Sequence, residues 1–110
     1  MAEAQTLTAL PPATQDEIRR IERLLAQGTL KAAVEKAKNL CRQHPGPEAE
    51  AIAIRAYLAR RDELVGRGLA AEAEAIAAFV RERFANGTAA LEAHARRLAK
   101  AAAGPGERLA

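Results

Sequence analysis

The chain has 110 residues, enough for one domain that buries roughly two thirds of its unfolded surface. Alanine supplies 29 of them, more than all other hydrophobic residues together, and Tyr57, Phe79 and Phe84 are the only aromatics, which argues against strands and for closely packed helices. Cys41 is alone, which excludes an internal disulfide, no run approaches the ~18 apolar residues of a membrane span, and a net charge of +3 permits an acidic partner without requiring one.

Residues 1–13 read as an N-terminal arm ending at Pro11-Pro12, either a loose terminus or a strap whose Leu7 and Leu10 dock on an apolar surface. This start lacks the basic opening and continuous apolar core of a signal peptide, so a soluble protein of the reducing cytoplasm is expected. Thr14-Gln15-Asp16-Glu17 has the form of a capping box, which predicts a first helix from Thr14 with Ile18, Ile21, Leu24 and Leu25 as its apolar stripe. Gln27-Gly28 ends it, since glycine adopts the left-handed closing conformation cheaply.

A second helix is expected from Thr29 or Leu30 to His44, with Leu30, Ala33, Val34, Ala37, Leu40 and Cys41 on one arc. Cys41 reads there as a small core residue. His44-Pro45-Gly46-Pro47 breaks the helix, and Pro47 suits the first position of a third, running to Val65. On a helical wheel Ala51, Ile54, Tyr57, Leu58, Leu64 and Val65 fall on one side of this third helix, and Ile52, Ala56 and Ala59 almost opposite. A helix apolar on two sides wants neighbours on both.

Gly66-Arg67-Gly68 turns into a fourth helix with the stripe Leu69, Ala73, Ile76, Val80 and Phe84, closed by Asn86-Gly87. Thr88 is expected to cap a fifth, with Leu91, Ala95, Leu98 and Ala102 as its stripe, and Gly104-Pro105-Gly106 to stop it. The domain is then 14–103, with a short tail at 104–110. Glu72 and Glu74 early against Arg81 and Arg83 late, and Glu48 and Glu50 early in the third helix, complement the helix dipoles.

A shift of 40 residues superposes Gly28 on Gly68, Ala33 on Ala73, Ala37 on Ala77 and Leu40 on Val80, the mark of a helical-hairpin repeat. Here the chain resembles the tetratricopeptide repeat family, whose unit of about 34 residues has a small residue between its helices, an alanine after it and a proline beyond. Gly28, Ala33 and Pro45 match that spacing and Leu24 fits the large residue late in the first helix. In the second unit Gly68 and Ala73 fit, but the proline position holds Ala85, and the extra length lies in the third helix. The resemblance implies an all-α, right-handed αα-hairpin solenoid of about five helices, the fifth acting as a closing cap.

No clustered ligands, activated nucleophile or phosphate-binding glycine loop occurs, and His44 and His94 stand far apart, so no enzyme, metal, cofactor or small-molecule substrate is indicated. The best basic stripe, Lys31, Lys38 and Arg42, shares its face with Glu35 and reads as intrahelical ion pairs, so nucleic acid is the less favoured partner. A non-enzymatic protein-interaction module is expected. The family's groove positions carry over to Glu22, Arg55, Asp62 and His94 as partner-binding residues. The alternative is a self-assembling subunit that forms a homo-oligomer, filament or tube through apolar end faces, with Leu7 and Leu10 strapping neighbours.

Overall fold

A computed structural model describes the backbone of residues 10–109 and the side chains through 102. Its elements are five helices: α1 (Pro12–Gln27), α2 (Leu30–Gln43), α3 (Pro47–Gly66), α4 (Ala70–Arg83) and α5 (Gly87–Leu109). The described residues contain no strand, as the alanine content and scarcity of β-branched residues dictate. The chain divides into two compact units, residues 1–60 and 61–110.

In the first unit α1 packs against α2. The start of α1 corrects the expected capping box. Pro12 occupies the first turn, with a ring that already holds φ at the helical value, and the Gln15 amide closes the first helical bond onto the Pro11 carbonyl at 3.0 Å. Thr14 therefore lies inside the helix rather than at its cap, and its buried hydroxyl has no hydrogen-bond partner among the described residues. Glu17 pairs instead with Arg20 at 3.4 Å and with Lys36 of α2 at 3.8 Å.

The turn out of α1 is as expected. Gly28 takes φ 78°, its amide bonds the Leu25 carbonyl at 3.1 Å, and the Thr29 amide reaches back to Leu24 at 2.9 Å. Ile21, Ala33, Ala37 and Leu40 are the buried side of this hairpin, and Ala49, Ile52, Ala53, Ala56, Tyr57 and Leu58 add to the core from α3. Cys41 is half-buried and its thiol donates to the Ala49 carbonyl at 3.5 Å, a structural contact.

The faces of α3 differ from those expected. Ala49, Ile52, Ala53, Ala56, Tyr57 and Leu64 are all buried and span one arc of about 140° on the wheel. Leu58 is buried beyond that arc, whereas Ala51 and Val65 are exposed and Ile54 is only half-buried. The physical reason is the alanines, which fit against a close neighbour or open water and so leave the hydrophobic period without contrast.

The second unit repeats the first hairpin's grammar. Gly68 takes φ 79°, its amide bonds Val65 at 3.0 Å and the Leu69 amide bonds Leu64 at 2.9 Å, the pattern seen at Gly28. The buried ladder Ala33, Ala37 and Leu40 of α2 is matched by Ala73, Ala77 and Val80 of α4. The sequence repeat is thus a repeat of cap geometry and of buried positions.

α4 packs against α5, and Gly87 decides how closely. It is the first residue of α5, not the end of α4 as expected, and a Cβ there would meet the Val80 carbonyl oxygen at 2.0 Å and the Arg81 Cα at 3.1 Å. Thr88 accordingly sits within the helix rather than capping it. At its other end α5 runs through Gly104-Pro105-Gly106 to Leu109, which corrects the expected stop. An interior proline removes its own amide from the ladder and crowds the carbonyl four residues back, so this continuation runs against local propensity, with the alanine run before it as the favourable contribution.

Candidate functional site

The four positions carried over from the family's groove lie on three helices and form two cross-helix pairs. In the first unit Arg55 of α3 donates to Glu22 of α1 at 3.3 Å, both side chains about half exposed. In the second, His94 of α5 lies 2.7 Å from Asp62 of α3. Here the imidazole is 16% and the carboxylate 35% exposed, so the contact is better shielded than the first.

The two pairs have the same logic. Glu22 and Asp62 occupy equivalent positions under the 40-residue shift, each carboxylate late on the first helix of a hairpin, and each takes a basic group from a later helix, 33 and 32 residues on. Arg55 and Asp62 are seven residues apart along α3, Arg55 in the first unit and Asp62 in the second. Sequence register alone brought these residues together. It did not show that each acid would be partnered, which leaves the pairs as interhelical clips whose solvent edges stay accessible.

Of the arm residues, Leu10 is half-buried and its carbonyl accepts a bond from Gln15 Nε2 at 2.8 Å, so it is tied to α1. Leu7 lies outside the described residues.

Beside the first turns of α1 and the end of α2 is an open cavity of about 360 Å³ lined by Ala13, Thr14, Asp16, Glu17, Arg20, Leu40, Gln43 and His44. Its charged walls are partnered locally, Asp16 to Arg19 at 2.6 Å and Glu17 to Arg20 and Lys36, so it presents no unbalanced charge for a ligand. Among the described residues no group of three or more His, Cys, Asp or Glu side chains could hold a metal ion, and no helix is long and apolar enough to cross a membrane. On α2, Glu35 pairs with Lys38 at 3.8 Å, in keeping with the ion-pair reading of that basic stripe.

Two surface features escaped the sequence reading. Phe79 on α4 is 41% exposed, though its ring still meets Phe84 edge-on at 6.4 Å. Leu98 on α5 is 45% exposed, while Leu91, two turns earlier on the same stripe, is buried. Compared with protein-family models, with curated proteins and with solved structures, the chain matches none, so the resemblance to tetratricopeptide repeats rests on the residues and hairpins of this chain alone.

Proposed function

We propose that this chain is a non-enzymatic protein-interaction module of the cytoplasm, a short tetratricopeptide-like right-handed solenoid in which Glu22, Arg55, Asp62 and His94 face a protein partner. The observation that carries the reading is the duplicated hairpin: one left-handed glycine turn and one small-residue ladder, used twice, with an acid at equivalent positions of α1 and α3. Repeating hairpins build extended faces from short local contacts, and such faces serve binding more often than chemistry. The test is capture of partners from the native host, repeated with purified components and with Arg55→Glu. Binding that survives Arg55→Glu and Asp62→Lys at unchanged affinity sinks the assignment of this face. A consistent turnover of any small molecule sinks the non-enzymatic reading.

A second reading, a subunit that assembles with itself, is favoured by one observation of its own: the large apolar side chains left exposed on α4 and α5.

A further inference from the structure

Asn86-Gly87 joins α4 to α5, and the asparagine is exposed. A main-chain amide nitrogen can attack the side-chain carbonyl of the asparagine before it and close a five-membered imide. Glycine is the successor that hinders this least, because it has no Cβ. The other asparagine of the chain, Asn39, is followed by Leu40 within α2 and lacks that advantage.

The fold holds the Asn86-Gly87 peptide at both ends. The Gly87 amide donates to the Phe84 carbonyl at 2.9 Å, and the Ala90 amide donates to the Asn86 carbonyl at 2.9 Å. Attack requires the Gly87 nitrogen to lose its proton and the peptide plane to turn toward Cγ, so both bonds oppose it. Packing opposes it as well. Gly87 is buried, and a Cβ on it would lie 2.0 Å from the Val80 carbonyl oxygen, so this stretch of main chain has no room to swing while α5 is seated on α4.

We propose that Asn86 is a site of self-modification gated by the α4–α5 hairpin: its side-chain amide is hydrolysed through a cyclic imide when the hairpin opens and is protected while it is closed. The Gly87 nitrogen, having given up its proton, bonds to Asn86 Cγ. The Cγ–Nδ2 bond breaks, and Nδ2 leaves as ammonia with that proton added to its own two. Water then adds to one of the two imide carbonyls. Cleavage at Cγ leaves aspartate at position 86, whereas cleavage at the main-chain carbonyl routes the backbone through Cγ as isoaspartate. No electrons are exchanged, and water is the only co-reactant.

The two products have opposite consequences here. A carboxylate at position 86 stands at the positive end of α5, where it caps the helix and stabilises it. Isoaspartate inserts one more carbon into the main chain beside a contact that already excludes a Cβ. The bonds to Phe84 and Ala90 and the approach to Val80 then cannot all re-form.

The test is to age the full chain at mildly alkaline pH, in buffer and in unfolding urea, and to follow positions 86 and 39 by peptide mass spectrometry. Conversion at 86 is expected to be at least about tenfold slower in buffer than in urea, because it tracks the open population. Val80→Ala, which loosens the hairpin at a wholly buried position, should speed conversion in buffer severalfold and leave the rate in urea unchanged. After chromatographic separation, the aspartate product and Asn86→Asp should keep the wild-type Tm or exceed it, and the isoaspartate product should melt lower. Equal rates in buffer and urea, or a Val80→Ala rate in buffer no faster than the wild type, overturn the gate. Conversion in urea no faster at 86 than at 39 overturns the imide route. An isoaspartate product that melts like the wild type overturns the consequence drawn for the hairpin.

Discussion

Gly87→Ala is the sharpest test of how α4 and α5 meet. The added methyl would stand 2.0 Å from the Val80 carbonyl oxygen and 2.7 Å from its carbon, both main-chain atoms that no side-chain rotation can move away. Carbon contacts are at ease near 3.5 Å, so the helices must part by roughly 1 Å or more, and a gap of that size forfeits a quarter to a half of each facing contact. The ladder Ala77, Val80 and Leu91 would feel it, since all three are buried. Overpacking costs typically about 1–3 kcal/mol, and a main-chain clash belongs at the upper end; alanine's better helix propensity returns less than about 1 kcal/mol. The net expectation is a loss of about 2 kcal/mol, which lowers Tm by about 10 °C for a chain of this size. Thermal and urea unfolding followed at 222 nm would read it, with the urea slope unchanged. Gly66→Ala is the internal control: it has open space around it and lies in the last turn of α3 without a left-handed φ, so it should be neutral or stabilising by up to about 1 kcal/mol. A Gly87→Ala chain as stable as the wild type refutes the close approach.

The paired turns make a matched prediction. Gly28 and Gly68 share φ 78° and 79° with nothing within 4 Å, so alanine at either costs backbone strain alone, about 1 kcal/mol each and equal within error by urea unfolding. Leu40→Ala should cost about 2–5 kcal/mol, since Leu40 is almost wholly buried, and Ala73→Leu about 1–3 kcal/mol by overpacking, whereas Ile54→Asp should cost less than a core aspartate would because Ile54 is half-exposed. Arg55→Ala should change stability by less than about 1 kcal/mol, since exposed ion pairs contribute little, so any loss of partner binding it causes is not a loss of fold.

Where backbone chemistry is local, the fold could be read from the sequence. Gly28, Gly68 and the Pro45-Gly46-Pro47 run bracket α2, α3 and α4 to within a residue or so, because a left-handed turn or a proline ring acts on its own few bonds. Reading failed where two local signals competed. Thr14 and Glu17 have the form of a cap, but Pro12 stands two residues earlier with its φ already set and takes the helix start. It failed again where the answer depended on a neighbour. The role of Gly87 is a distance to another helix, and the cover over Leu98 depends on how far α4 extends, neither of which periodicity contains. The acids and bases at Glu22, Arg55, Asp62 and His94 were placed by repeat register, and their pairing follows from helices that register alone does not space.

The alanine ladder and the exposed apolar side chains are linked through stability. Among the described residues 16 hydrophobic side chains are buried, of which seven are alanines, and of the large ones only Ile21, Leu40 and Val80 are wholly out of water. A buried leucine or isoleucine contributes about 1.5–3 kcal/mol and an alanine far less, so a chain packed this way begins with a thin margin. Association adds to that margin by mass action, about 2.7 kcal/mol when the free concentration is a hundred times Kd. That is enough to raise Tm by about 10 °C or more in a domain of this size. Tm should therefore climb with protein concentration in the wild-type chain. A wild-type Tm that does not move with concentration would mean that the thin core stands alone, and that Leu98 and Phe79 face water for a reason other than another copy.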